Sequence, residues 1–363
     1  MDFDLSDDQL ALREGADDLL EGLASSTAVR AVVERGGGID RVLWQAMVDQ
    51  GWLGVARPEA EGGLGLGWVE VAVLAESVGR FAVPAPFVSQ VLAVDALALA
   101  PTPDPRAEAL LAGETVGCVA WSRAPDAVHA TRSGDGWTLA GRADPALYAP
   151  SADVVVVAAA TDAGPALFAV DVDEDSRPPA ESAMDRTREL GRPVFDGTPA
   201  DWIGGEDRVE ALVDRGATAT AAEMLGGAVR VLDLAVEYAK DRVQFDKPIG
   251  SFQAVKHRCA DMLVDVEGMR SSTYWAAWCL AADAADAPIA ASTAKIWGSD
   301  ASRRVMASGL QVHGGIGFTW EHDLHFFLKR AQLDQLTFGD ASYHRERLAA
   351  LLRPRVEAGD SIV

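Results

Sequence analysis

RVQFDKPIGSFQAVKH, residues 242–257, joins two stretches of helical periodicity through a Lys-Pro turn. A long helix over about 217–241 runs into it, and Ser251 is the expected N-cap of the helix that follows. Arg242 is a permanent cation with a planar fork of donors, a geometry that grips a pyrophosphate. Phe245 can stack on a flat ring, and Gln244 and Gln253 offer amides to a base or a ribose. The N-terminus of the following helix favours an anion. The same residues equally suit a helix–turn–helix corner held by a buried Phe and a surface salt bridge. Residue chemistry alone leaves both readings open.

Downstream, LQVHGGIGFTWEHDLHFFLKRA, residues 310–331, places consecutive glycines after a helix. Gly314 and Gly315 let a ligand approach the backbone closely, although a glycine here more often caps a helix. His313, His322 and His325 come without a matching carboxylate or cysteine cluster, so no metal site is expected. Two glycine-rich runs are not nucleotide loops. GGLGLGWVE (62–70) misses the GxGxxG spacing and follows no clear strand, and GGIGF follows a helix. There is no P-loop and no GxSxG elbow.

Outward from these motifs the chain reads as three segments: mainly α, with a central β-domain. Residues 1–115 form an N-terminal helical domain. Its helices are DDQLALREGADDLLEGL with Ser6 as N-cap, RVLWQAMVDQGWLG and WVEVAVLAESVGRFAV, before Pro101, Pro103 and Pro105 break the chain. Residues 116–205 hold short β-branched runs, VGCVAW, GWTLAGRA, ADVVVVAAA and PALFAVDV, expected to make a small antiparallel barrel or sandwich. ADVVVVAAA is apolar throughout, as a strand covered on both faces would be. Residues 206–363 return to helical periodicity over roughly 206–241, 251–284, 287–312, 321–332 and from about 340, a C-terminal four-helix bundle.

The net charge of −23 and pI near 4.6 argue against nucleic acid and anionic membranes as partners. Any phosphate-bearing ligand therefore needs local basic residues such as Arg242. Cys118, Cys259 and Cys279 form no CxxC pair, so neither a disulfide framework nor a zinc site is expected. The N-terminal MDFDLSDDQLALREG lacks the basic and apolar regions of a signal peptide. No apolar run reaches membrane-spanning length. A cytoplasmic protein is the expectation.

RVQFDKPIGSFQAVKH resembles the acyl-CoA dehydrogenase pattern Arg-x-x-Phe-Gly-x-x-Ile followed by a Gln. GLQVHGGIGFTWEHDLHFFLKRAQ resembles its partner pattern, Gln-x-x-Gly-Gly-x-Gly. PEAEGGLG (58–65) is similar to the family's N-terminal turn, and GWTLAGRADPALYAPSADVVVVAA to its β-domain segment. These resemblances fall in family order over nearly the whole chain. They imply an acyl-CoA substrate, FAD bound across a subunit interface, a dimer of dimers, and an electron-transfer flavoprotein or similar acceptor. They also imply that Arg242, Gln244, Phe245 and Gln253 contact the adenine or pyrophosphate end of FAD. Gln311, Gly314 and Gly315 would reach the same cofactor from the partner subunit.

The chain departs from the family where the chemistry needs a base. The family reaction removes an α-proton and a β-hydride, so a carboxylate must sit against the α-carbon. In most relatives this is a Glu just before a Gly in a C-terminal loop. Here that loop reads QLTFGDASYHRERL, with Gly339 at the family Gly and Phe338 in place of the Glu. The alternative family position falls near Gly216. Two carboxylates lie close, Asp340 and Glu223, each with an ordinary use that is favoured: Asp340 as N-cap of the last helix, Glu223 as partner to a basic residue. The usual flavin-contacting run is replaced by AWSRAPDAVHA (120–130), in which Ser122 can still supply a hydroxyl. These losses resemble those in actinobacterial acyl-CoA dehydrogenases that form α2β2 heterotetramers acting on steroid side-chain CoA thioesters. The expectation is an FAD-dependent acyl-CoA dehydrogenase or its non-catalytic partner subunit.

Overall fold

The structure, a computed structural model, describes residues 4–100, 102–124 and 126–359; Pro101 lies outside the described residues. The helices are α1 (Asp7–Leu23), α2 (Ser26–Glu34), α3 (Arg41–Asp49), α4 (Trp68–Arg80), α5 (Phe87–Ala98), α6 (Arg106–Leu111), α7 (Glu206–Asp241), α8 (Gln253–Ala281), α9 (Ala287–His313), α10 (Leu324–Asp334) and α11 (Ala341–Ala358). Between α6 and α7 run β1 (Gly117–Ala120), β2 (Val128–Ser133), β3 (Gly136–Arg142), β4 (Ala146–Leu147), β5 (Val154–Thr161), β6 (Gly164–Asp171), β7 (Leu190–Gly191) and β8 (Val194–Gly204). After α7, β9 (Val243–Gln244) and β10 (Lys247–Pro248) pair as a small hairpin. Two compact units result. One comprises the chain up to Thr27, Val71–Val83 and everything from Ala217; the other comprises Ala28–Glu70 and Pro84–Gly216.

In the second unit the strands close on themselves. β5 pairs with β6, β6 with β8, β8 with β3 and β3 with β2, all antiparallel, and β2 returns to β5 through the parallel pair His129↔Ala160. β1 also runs parallel to β5, Gly117 to Ala120 against Val154 to Val157. The antiparallel barrel expected from the sequence is thus corrected to a mixed one. β1 and β2 follow each other along the same edge of β5 and share its direction. Val155, Val157 and Ala159 face the barrel core with Leu139, Phe168 and Phe195. Val154 and Val156 are buried too, so the strand is covered on both faces, as its unbroken apolar run predicts. Much of that cover is α5, which packs on β1 and β5. Its buried Gln90 donates to the carbonyls of Leu110 (2.7 Å) and Thr115 (2.9 Å) and accepts the Gly117 N–H (2.7 Å). That satisfies an amide that would otherwise be costly in an apolar wall.

In the first unit α1 begins at Ser6, whose hydroxyl accepts the Gln9 N–H while the Gln9 side chain accepts the Ser6 N–H, a reciprocal cap. α4 crosses α7 with almost no space between the backbones. A Cβ on Gly79 would lie 1.9 Å from the Glu223 carbonyl oxygen, and one on Gly226 would lie 1.8 Å from that of Glu76. Buried glutamates flank the crossing. Glu76 accepts from Arg270 (2.7 Å) and from the Tyr274 hydroxyl (2.6 Å). Glu223 pairs with Arg330 (3.2 Å).

Candidate functional site

Arg242 follows α7 directly, its N–H bonded to the Tyr238 carbonyl (2.9 Å) and its own carbonyl accepting the Ile249 N–H (2.8 Å). That second bond closes the β9–β10 hairpin. Its two turn residues, Phe245 (φ 54°) and Asp246 (φ 64°), both take the left-handed backbone that a two-residue hairpin of this kind needs. Asp tolerates this conformation, but a Phe there is unusual and costs about 1–2 kcal/mol. What the strain achieves is presentation: Phe245 is 85 % exposed, with the Phe252 ring edge-on at 6.1 Å and Lys247 capping the Phe252 face at 4.4 Å. Ser251 does not cap α8. It ends a 3-10 turn, and the helix starts at Gln253 with Phe252 at the cap position and no side-chain cap. The tight turn is held because Gly250 lies against α7, where a Cβ would meet the Ala239 carbonyl at 2.9 Å.

The second motif lies at the same end of this unit. His313, the last residue of α9, is buried. It donates from Nδ1 to the Gly309 carbonyl (2.8 Å) and stacks on Tyr238 with centroids 4.6 Å apart and planes 24° apart. Tyr238 is one helical turn before Arg242 and His313 immediately precedes Gly314, so this stack joins the two motifs within one chain. Neither residue was singled out for this from the sequence, because the contact spans the bundle. Gly314 takes φ 65° and ψ −141°, a conformation open only to glycine, and a Cβ on Gly314 or Gly315 would meet nothing within 4 Å. The side chains of Arg242, Gln244, Gln253 and Gln311 are exposed. The Gln244 amide donates to the Val243 carbonyl (2.8 Å), and the Arg242 guanidinium makes no ion pair among the described residues. A free guanidinium, three amides, an open glycine backbone and a presented aromatic ring form a donor set suited to a pyrophosphate carrying a flat ring. His325, by contrast, packs on Trp320 and Phe326, and among the described residues no group of three or more His, Cys, Asp or Glu side chains can hold a metal ion.

Ser122 belongs to the other unit. Its hydroxyl oxygen accepts the Asp144 N–H at 2.8 Å, which leaves its O–H able to donate. In the same unit GGLGLG is a structural turn: a Cβ on Gly63 would lie 2.2 Å from the Arg57 carbonyl oxygen, with Gly62 and Gly65 at positive φ.

The candidate bases are both engaged. Asp340 is the N-cap of α11, its carboxylate accepting the Tyr343 N–H at 2.8 Å. Glu223 is 4 % exposed and pairs with Arg330, which also donates to the Val83 carbonyl (2.9 Å). Phe338 is buried with φ 55°, followed by Gly339 with φ 91°. Beneath these two residues lies a buried polar cluster that the sequence did not announce. Lys295 is wholly buried and donates to the carbonyls of Gln335 (3.1 Å) and Gly339 (2.7 Å). Burial lowers its pKa to about 7, against the opposing charges of Asp334 and Asp340. His344 is wholly buried, with Nε2 2.8 Å from the Phe338 carbonyl and Nδ1 3.3 Å from the Ser292 hydroxyl.

The pattern of an acyl-CoA dehydrogenase N-terminal domain matches residues 6–112, and that of an acyl-CoA dehydrogenase C-terminal domain matches residues 204–352. The acyl-CoA dehydrogenase IpdE2 of Mycobacterium tuberculosis is 35% identical over 327 residues, covering 88% of this chain and 89% of that protein. A chain of the ChsE4-ChsE5 complex from Mycobacterium tuberculosis superposes with a TM-score of 0.92 at 30% identity, over 97% of this chain and 99% of that chain. A chain of the Tcur3481-Tcur3483 steroid ACAD superposes with a TM-score of 0.90 at 31% identity, over 96% of this chain and 99% of that chain. With the motifs in order, the helical and barrel units in place and similarity over nearly its whole length, the chain belongs to the acyl-CoA dehydrogenase family, whose members are oxidoreductases acting on the CH–CH bond of acyl-CoA thioesters.

Proposed function

We propose that this chain is the subunit without a base in a two-component acyl-CoA dehydrogenase. It completes the adenine and pyrophosphate half of an FAD site, and a second subunit supplies the carboxylate that takes the substrate's α-proton. The observation that carries this reading is the state of the four places considered for a base, of which the alternative family position near Gly216 offers no carboxylate. Phe338 fills the first. Asp340 accepts a backbone N–H at the start of α11. Glu223 is buried and its carboxylate is engaged by Arg330 in the core. A general base must instead reach the proton that it removes.

When bound, FAD supplies the hydride acceptor that no side chain can provide. In this reading Arg242 binds the pyrophosphate and Phe245 stacks on the adenine. Gln244 and Gln253 meet the adenine end, and Gln311 with the Gly314–Gly315 backbone reaches the same cofactor across the subunit interface, from the partner subunit. Ser122 offers its hydroxyl toward a flavin ring. The family's three-domain division falls at 115 and 205. That the ChsE4-ChsE5 relative is a complex of two named chains supports a heteromeric dimer of dimers, and the steroid ACAD supports a steroid side-chain CoA thioester as substrate. An electron-transfer flavoprotein or similar acceptor and a cytoplasmic location complete the proposal.

The test uses the co-expressed two-subunit assembly, with folding checked for each variant. Asp340→Asn and Glu223→Gln should leave kcat within about twofold. Arg242→Ala should weaken FAD retention by about ten- to a hundredfold, the loss of a charge-assisted contact of about 1.5–3 kcal/mol. A large fall in kcat for either carboxylate variant in a folded assembly would place the base in this chain. Unchanged FAD affinity in Arg242→Ala would remove that residue from the site.

A further inference from the structure

The loop between α10 and α11 is held from below by two buried side chains that the proposed chemistry does not use. Lys295, on α9, donates to the carbonyls of Gln335 and Gly339 at 3.1 and 2.7 Å. His344, on α11, contacts the carbonyl of the intervening Phe338 at 2.8 Å. A carbonyl oxygen only accepts, so His344 must carry its proton on Nε2. Nδ1 then accepts from the Ser292 hydroxyl at 3.3 Å, and that hydroxyl oxygen in turn accepts from Arg347 at 3.2 Å. The chain of donors runs from Arg347 through Ser292 and His344 to the backbone of Phe338.

The loop needs this hold. Phe338 and Gly339 are consecutive residues at positive φ, 55° and 91°. A bulky residue in left-handed backbone persists only where its surroundings over-determine it. Turning the carbonyls of residues 338 and 339 inward fixes two successive peptide planes, and with them the direction in which the side chain at 338 leaves the backbone. At Gly339 itself a Cβ would lie 2.3 Å from the Tyr343 ring, so the turn has no slack on its other side.

We propose that Lys295 and His344 are positioning residues that clamp the backbone of 335–340 and set the orientation of position 338. The clamp itself rests only on these hydrogen bonds. Its bearing on the reaction rests on the reading above, in which 338 is the place of the family's base. In that case the chain retains the scaffold of the base loop although Phe338 has replaced the base.

Backbone hydrogen exchange over 333–342 tests the clamp without reference to activity. In Lys295→Met and His344→Leu, exchange of the 336–340 amides should rise at least tenfold while α8 interior amides stay as in the parent. In His344→Gln, whose amide can place an N–H near the old Nε2, protection should return to within about threefold of the parent. An unchanged loop in the first two variants, an equal rise throughout the bundle, or no recovery with glutamine would overturn the proposal. If the variants do not fold, the parent protein decides. Nitrogen chemical shifts of the His344 ring should report the Nε2–H form throughout pH 5–8; the Nδ1–H form, or titration near the ordinary histidine value, would refute the clamp. Neither result bears on whether the partner subunit holds the base, which the kcat measurements address separately.

Discussion

His344 is buried as a neutral ring, and that makes it a source of acid sensitivity. Burial pushes its pKa down to about 3; the nearby charges of Lys295 and Arg347 add to this, against the Phe338 carbonyl and Asp340. In the unfolded chain the ring titrates near 6.5. Between about pH 6.5 and 3 the unfolded state therefore binds more protons than the folded one. Stability falls as pH drops through that window, by up to about 1.4 kcal/mol per pH unit. Lys295, lowered to about 7 under burial and faced by Asp334 and Asp340, acts in a different window. Its unfolded value is about 10.4, so stability rises as pH climbs from about 7 toward 10. In urea unfolding across pH, His344→Gln should flatten the acid limb and leave the alkaline one. An unaltered acid slope in His344→Gln would show that His344 is not held neutral. The sequence showed neither group in this role. Lys295 lies in a helix among residues that look ordinary, and its partners are forty residues away. Arg242, Gln311 and Gly314 could be singled out as candidates because the motifs that carry them are short and local.

At the scale of elements, the α4–α7 crossing depends on two glycines rather than on side-chain interlock. Gly79 and Gly226 each sit against the other helix's carbonyl, of Glu223 and Glu76 respectively. In an ordinary helix surface, Gly→Ala would gain up to about 1 kcal/mol of helix propensity. Here the added methyl must force the helices apart, strain of the overpacking kind that costs about 1–3 kcal/mol and occasionally more. Gly226→Ala should therefore lower the denaturant midpoint rather than raise it, and a stabilised variant would mean that the crossing is loose. The long helices of the bundle were visible as 3.6-residue periodicity, α7 to its end residues. α5 was not, because a helix buried on every side carries no amphipathic stripe. β2 was missed for a different reason. Four of its six residues, His129, Thr131, Arg132 and Ser133, are polar and exposed, and its barrel partner β5 is distant in sequence. The parallel pairings of β1 and β2 with β5 depend on the path of the chain, which strand composition does not encode.

For the whole molecule, the decisive features are an acidic chain of net charge −23 and a local cluster that opposes it. Arg242, Lys247 and the open glycines gather at one end of the helical unit, where an anionic cofactor half can dock despite the overall field. The positions expected for the chemical step hold Phe338, a capping aspartate and a paired glutamate. In the proposed reading this chain offers half of a cofactor site, and a second subunit completes it with the base. The direct measurement is the visible absorption spectrum of the chain purified alone, then co-purified with its co-expressed partner, each followed by anaerobic addition of a steroid side-chain acyl-CoA. The account predicts a colourless or non-bleaching protein alone, and a flavin spectrum that bleaches on substrate addition in the complex. A flavin spectrum that bleaches in the isolated chain would contradict it.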